Sequence, residues 1–294
     1  MADELQGQYV MDIREAASWL LTTLHTGMLG LALVVPSVAI YGVAEARALR
    51  VTEDTLTSSE LPPELDGTRV VFLADVHAGP FFGRGRMSDL VDRVNDLEPD
   101  VLILGGDYVG GRFGGAGTFY PAAADFEARL GKFAVLGNHD IWEGAEEARQ
   151  GLAEAGFTLL ENDSARVTIG DASLALAGVS DLETGDPDPE AAARTIDPAT
   201  FSILVSHNPD VFADRLGGTE GTWDLALAGH THAGQITFFG RPAHVPSEHG
   251  TRYIAGWRTE SGTPILVTNG VGTVTVPLRL FAEPEVHVIT LLSE

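Results

Sequence analysis

Five of the nine histidines, two aspartates and an asparagine fall directly behind short apolar runs. Residues 69–73, 101–104, 133–136, 202–205 and 225–228 read as buried strands. They are followed in turn by Asp75 and His77, by Asp107, by Asn138 and His139, by His207, and by His230 and His232. In layered α/β sheets ligands bind outside the carboxyl ends of strands, where loops converge over a rigid platform. So many potential donors at one end of successive strands point to a metal centre. Imidazole, carboxylate and amide oxygen together suit Mn, Fe or Zn better than calcium. Asp75-Val76-His77 and His230-Thr231-His232 read as extended segments, whose side chains repeat every two residues. Each pair would then face one side, to grip one ion or straddle two. Gly106, Gly137 and Gly229 stand immediately before candidate donors and permit sharp turns that leave room for ions and substrate.

The elements that must position these residues follow from periodicity. Residues 87–97 place Leu90, Val94 and Leu97 on one helical face, with Ser88 as the expected N-cap. Residues 143–155 are rich in Ala and Glu and stop at Gly156, which predicts a second helix. Residues 49–55 alternate like a strand, and Leu61-Pro62-Pro63 with Asp66-Gly67 forms a turn-rich connector. Strands alternating with helices imply a layered α/β domain, and the strand-rich stretch 166–292 implies mixed sheets.

The front of the chain is different. No Asp, Glu, Lys or Arg occurs in residues 16–44, and residues 26–44 are long and apolar enough for a membrane span. Gly27, Gly30 and Pro36 are tolerated in such a span. The competing expectations are a buried hairpin or a helix packed on the body. A cleaved signal peptide fits less well, because the leader is acidic, although Ala44-Glu45-Ala46 resembles a cleavage site. Arg14 before the span against Arg47 and Arg50 after it gives a slight preference for a cytoplasmic body. The expected organisation is a leader at 1–48 and a catalytic domain at 49–294. The chain has 294 residues with 18 Lys+Arg against 42 Asp+Glu, a formal charge of −24. Such acidity argues against gripping nucleic acid or anionic lipid as the main task of the surface as a whole. The absence of Cys excludes thiol catalysis, disulfides and Cys-ligated zinc. Lys132 is the single lysine, a bias that fits either a salt-adapted surface or a GC-rich genome.

The blocks Asp75-x-His77, Gly106-Asp107, Gly137-Asn138-His139-Asp140, His207 and Gly229-His230-x-His232 resemble, in order, the five motifs of the calcineurin-like metallophosphoesterases. Val267-Thr268-Asn269-Gly270, Pro277-Leu278-Arg279 and Pro284-Glu285-Val286 resemble the membrane-associated bacterial branch of that family. The resemblance implies a four-layer αββα sandwich of two mixed sheets flanked by helices, with two divalent ions. One ion would take Asp75, His77, Asp107 and His232; the other Asp107, Asn138, His207 and His230, with Asp107 bridging. His139 would face the substrate phosphate, and Asp140 would either orient His139 or cap the next helix. Two ions carry +4 against −2 from Asp75 and Asp107, and a bridging hydroxide attacking in line leaves the site attractive to phosphate. The implied activity is hydrolysis of a phosphodiester or pyrophosphate, of a lipid or cell-envelope precursor. The alternatives are a nuclease of the same superfamily or a non-catalytic scaffold. The glycine-rich stretch 108–120 is expected to lie over the site, with a plain surface loop as the alternative; His244 and His249 are expected to be surface histidines, with a substrate role as the alternative; and Asp181 is open to a supporting role.

Overall fold

The structure, a computed structural model, describes residues 13–110, 115–216, 219 and 222–294. Contacts divide the chain into two units, Met1–Gly42 and Val43–Glu294. The described part of the first is one helix, α1 (Ile13–Glu45), whose last turn belongs to the second unit. The hairpin alternative for the leader is thereby overturned. Glu15–Glu45 of this helix is long and apolar enough to cross a membrane. At about 1.5 Å per residue its 31 residues measure roughly 46 Å, against a hydrocarbon core of about 30 Å. Its few polar groups turn inward: Thr22, Thr26 and Ser37 hydroxyls donate to carbonyls four residues back, at 2.8–2.9 Å. Such bonds satisfy a hydroxyl where no water is at hand.

In the second unit the elements run β1 (Arg50–Ser58), β2 (Arg69–Leu73), α2 (Arg84–Asn95), β3 (Val101–Leu104), α3 (Ala116–Ala123), β4 (Gly131–Ala134), α4 (Asn138–Glu154) and β5 (Thr158–Leu159). There follow β6 (Asp163–Ile169), β7 (Ala172–Gly178), α5 (Pro189–Ala193), β8 (Phe201–Ser206), α6 (Val211–Asp214) and β9 (Leu225–Ala228). The remainder is a small hairpin, β10 (Thr237–Phe238) with β11 (Arg241–Pro242), then β12 (Gly256–Glu260), β13 (Thr263–Val267) and β14 (Glu285–Ser293). The strands form two six-stranded mixed sheets, ordered β1-β14-β2-β3-β4-β5 and β12-β13-β9-β8-β7-β6. β2 to β5 are mutually parallel, as are β13, β9, β8 and β7.

Alternation along each strand builds the layers. In β2, Val70 and Phe72 point between the sheets while Val71 and Leu73 point to the helices, and all four are buried. Strands covered on both faces read as continuous apolar runs, which is why their sequence signal was strong. Between the sheets, Val70, Phe72, Ile103 and Val135 pack with Leu174, Ile203, Val205 and Leu227. Outside the first sheet lie Met87, Leu90 and Val94 of α2, Phe119 of α3 and Leu152 of α4. Outside the second lie Ala192 of α5 and Val211 and Phe212 of α6. This is the expected αββα order. Two helix details differ from expectation. α2 starts at Arg84 with Gly83 as its N-cap, so Ser88 lies inside the helix and Met87 is already buried in its first turn. The second helix starts five residues before the Ala/Glu run, at Asn138, and is broken at Gly144, whose φ is 152°.

Phe72 lies fully buried between the sheets, and a Cβ on Gly105 would meet its ring at 2.8 Å. Phe72→Ala is expected to cost about 3–5 kcal/mol of stability, read as a lowered midpoint of unfolding. A loss under about 1 kcal/mol would mean that this layer is not packed as described.

Candidate metal centre

All of the candidate donors lie at the carboxyl ends of parallel strands: Asp75 and His77 after β2, Asp107 after β3, Asn138 after β4, His207 after β8, and His230 and His232 after β9. Facing ends of two sheets thus contribute to one cluster, and all seven side chains are buried. Donor atoms of Asp75, His77 and His232 lie within 4.8 Å of one another, as do those of Asp107, His207 and His230. The Asp107 Oδ2 atom belongs to both neighbourhoods, 3.5 Å from His77 Nε2 and 3.3 Å from His207 Nε2. His77 Nε2 faces His232 Nε2 at 3.0 Å, and His230 Nδ1 faces His207 Nε2 at 3.3 Å.

The local backbone is not the one expected. Asp75, His77, Asp107, His230 and His232 have φ of 58°, 47°, 56°, 72° and 53°. These left-handed values replace the extended Asp-x-His and His-x-His segments read from the sequence. The side chains of each pair still converge, because alternate residues are folded back rather than because a strand repeats every two. Residues held at positive φ cost on the order of 1–3 kcal/mol each and persist where the surroundings over-determine them. Here those surroundings are tight. A Cβ on Gly106, itself at φ 94°, would lie 2.7 Å from both Gly137 N and His207 Nδ1. One on Gly137 would run into the Asp107 carboxylate.

Electrostatics favour a cation at the centre. Burial drives the His77 imidazole down to about 3 and His232 well below its ordinary value, leaving both neutral with lone pairs available. Burial raises the Asp75 carboxyl to about 6, against the pull of His207 and His230. At Asp107 burial also opposes ionisation, but His207 and His77 outweigh it and hold the carboxyl well below its usual range. For His207 burial disfavours the charge and the Asp107 contact overcomes it, raising this imidazole well above its ordinary value. Without a metal the pair therefore keeps a proton between two buried groups, and a divalent ion can displace that proton. Asn138 Oδ1 is buried with no hydrogen-bond partner, a state costing roughly 1–3 kcal/mol that a cation would relieve. The donors present thus fit a divalent metal centre. His207 Nδ1 donates to Gly105 O at 2.8 Å, which turns Nε2 toward Asp107.

Four further residues support these donors, and the sequence reading singles out a role for two of them, Asp140 and Asp181. Asp140, of two expected roles, takes the capping one: its carboxylate accepts from Gly137 N, and also from Asp107 N and Tyr108 N, at 2.8–2.9 Å. His139 is instead fixed by its backbone N, which donates to Asp107 Oδ1 at 2.9 Å. Arg279 is wholly buried and donates to the carbonyls of Gly270, Gly272 and Ala282, with Nη2 3.3 Å from His232 Nδ1. Asp181 accepts from Glu183 N and Thr184 N, and the turn so formed brings Glu183 Oε1 to 3.4 Å from His230 Nε2. Glu183 carried no local signal and Arg279 was legible only as part of the Pro277-Leu278-Arg279 block, since each acts through a fold-dependent contact.

A cavity of about 480 Å³ opens over Asp107, Asn138, His139, His230 and His232. Trp142, Ile236, Pro246, Val274 and Val276 give it apolar walls. The His139 ring stands edge-on to His77 at 4.8 Å and to Trp142 at 5.1 Å between centroids. His244 is exposed, as expected, and lines the rim of this cavity, whereas His249 pairs with Asp214 at 2.9 Å. Of the stretch expected over the site, residues 111–114 lie outside the described residues. Its described part does not line the cavity; Tyr108, Phe119 and Tyr120 pack in the core instead.

A family model described as calcineurin-like phosphoesterase matches residues 68–234. The chain is 32% identical to the uncharacterized metallophosphoesterase YkuE of Bacillus subtilis, over 86% of this chain and 90% of that one. It is 33% identical to phosphodiesterase YaeI of Escherichia coli, over 76% and 82% respectively. A transmembrane protein with metallophosphoesterase domain from Danio rerio is 30% identical over 89% of this chain and 62% of that protein. With that match and a divalent-metal centre at the strand ends, the chain belongs to the calcineurin-like phosphoesterase family and is a metal-dependent phosphoester hydrolase.

Proposed function

We propose that this chain hydrolyses a phosphodiester or pyrophosphate of a lipid or cell-envelope precursor at a centre holding two divalent ions, drawn from Mn, Zn and Fe. Asp75, His77, Asp107 and His232 hold one ion; Asp107, Asn138, His207 and His230 hold the other. The observation that carries this reading is the Asp107 carboxylate oxygen lying 3.5 and 3.3 Å from donors of the two different clusters. When bound, such a pair of ions activates water near neutral pH and offsets charge on the phosphate oxygens. The chain's own residues do the rest. His139 lines the cavity beside that centre and protonates the departing oxygen, or neutralises charge on the phosphate. Glu183 lies beside His230 and repels a misplaced anion from that flank. The apolar walls suit a substrate with a hydrophobic portion, and α1 supports membrane association. The name phosphodiesterase on one relative supports a diester.

Elemental analysis of the purified full chain is expected to give two divalent ions, and Asp107→Ala is expected to lose both. One ion in the wild type, or two kept by the variant, would refute the bridging role. His139→Ala is expected to keep its metals and lose about 10²–10⁴-fold in turnover of a poor-leaving-group diester. Unchanged turnover with that substrate would remove His139 from the chemistry. On cell fractionation the full chain is expected in membranes after a high-salt wash. Recovery of the intact chain in the soluble fraction without detergent would overturn the membrane reading and leave the metal assignments standing.

A further inference from the structure

A second pocket, remote in composition from the metal centre, is basic on a chain of net charge −24. It has a volume of about 680 Å³ and draws its charges from Arg47, Arg86, Arg93 and a single Asp89, over a floor of Phe82, Leu90 and Val271. Acidic residues outnumber basic ones 42 to 18 along the chain, so a pocket with three arginines and one carboxylate inverts the local average. None of the three arginines makes an ion pair among the described residues, although ion pairs occupy Arg50, Arg129, Arg149, Arg215, Arg252 and Arg258.

Arg86 is held in place rather than left to wander. Its Nη1 donates to Phe81 O at 3.0 Å and its Nη2 to Ala46 O at 2.7 Å, while the guanidinium lies 4.2 Å over the Phe82 ring. Burial, and then repulsion from Arg47, lowers its pKa, so the group has been desolvated beside a like charge with only Asp89 to offset it. A guanidinium has five N–H donors, and these two bonds leave the others unused. Arg86 and Arg93 are seven residues apart on α2, which places them on one face of that helix, and Arg47 reaches the same pocket from the preceding segment. Two exposed arginines around a fixed, partly desolvated one make a receptor for an oxyanion with several acceptor oxygens.

Its place in the chain identifies the anion's source. Arg47 stands two residues beyond Glu45, where the apolar helix ends. Basic side chains at the end of a membrane span lie at headgroup depth, and pockets of this kind take phosphate headgroups. The apolar floor has no use in binding a bare ion, but it fits the first carbons of a glycerol or acyl chain.

We infer that Arg47, Arg86 and Arg93 form a binding site for the phosphate of an anionic phospholipid, separate from the substrate cavity. The full chain, purified in a mild non-ionic detergent, is offered phosphatidylglycerol or phosphatidylcholine and examined by native mass spectrometry. Wild-type protein is expected to retain one phosphatidylglycerol per chain, with at least a tenfold preference over phosphatidylcholine. The double variant Arg47→Gln, Arg93→Gln is expected to bring that preference below about twofold. Both side chains are exposed, so the fold is spared, and hydrolysis of a soluble diester serves as the check that it is. Equal retention of the two lipids by wild type, or an undiminished preference in the variant, overturns the proposal. In a parallel arm inorganic phosphate replaces lipid. Arginine-dependent thermal stabilisation by phosphate alone, with no lipid preference, would assign the pocket to a soluble phosphate and reject the lipid. Failure of the metal predictions would leave this outcome untouched, because no metal donor lines the pocket.

Discussion

One carboxylate must present two oxygens in two directions, and much of the fold serves that requirement. Asp107 sits at the end of β3, inside the first sheet, with Oδ1 fixed by His139 N and Oδ2 left between His77 and His207. Its own backbone N donates to Asp140, whose carboxylate also holds Gly137 N at the start of α4. Asp140 thereby ties the loop after β3 to the loop after β4. Burial, and then the charge of Asp107, raises the Asp140 carboxyl to about 7, so its three backbone N–H donors help keep it ionised. The glycines at 106 and 137 are needed because these two loops approach so closely that no Cβ fits between them. Removing the sheet behind them would leave five strained residues with nothing to hold them.

The surface and the centre obey different electrostatics. A net charge of −24 ought to repel a phosphate, yet at physiological ionic strength exposed charges are screened beyond about 8 Å. A buried cluster is screened far less, so its local charge governs what enters the cavity. The neutral state of His77 and His232 matters here, since it lets the chain supply donors without adding positive charge that would oppose a cation. In the proposed centre two carboxylates, Asp75 and Asp107, would leave divalent ions incompletely neutralised and able to attract an anion.

The sequence made legible whatever depended on strand burial. Strands β2, β3 and β9 fall on the expected residues, because apolar side chains on both faces leave an unmistakable run before each polar corner. The donor residues at those corners were legible for the same reason. What escaped depends on contacts between distant segments. Asp-x-His looks like a strand by residue type, but the left-handed backbone is imposed by neighbours such as Gly106 and Gly110, whose Cβ positions are filled by other loops. Glu183 reaches His230 only because Asp181 folds its turn, 47 residues earlier in the chain. Ser88 has good capping chemistry, yet Met87 must be buried for α2 to cover the first sheet, so the helix has to begin before it.

The site extends beyond the stretch that carries its recognisable motifs. The matched residues 68–234 contain every proposed ligand, and within them His230 N donates to the Asp75 carboxylate and Asp75 N to Gly106 O, but they do not contain all that holds Asp75 in place. Gly272 N donates to Asp75 O at 2.6 Å and Val271 N to Ala74 O at 3.0 Å, so the segment after β13 runs against the end of β2. A Cβ on Gly270 would strike the Asp75 side chain at 2.6 Å. Arg279 then locks that segment by binding the carbonyls of Gly270, Gly272 and Ala282, and touches His232 with the same guanidinium. A buried arginine is costly unless its donors are used, and here three carbonyls use them. Its charge also bears on Asp75, which burial would otherwise favour protonating. β14 finishes the arrangement by pairing antiparallel with β2 and parallel with β1. A fragment ending at residue 234 would keep the seven donors and lose the geometry, since Asp75 and His232 would face water where the C-terminal segment now packs.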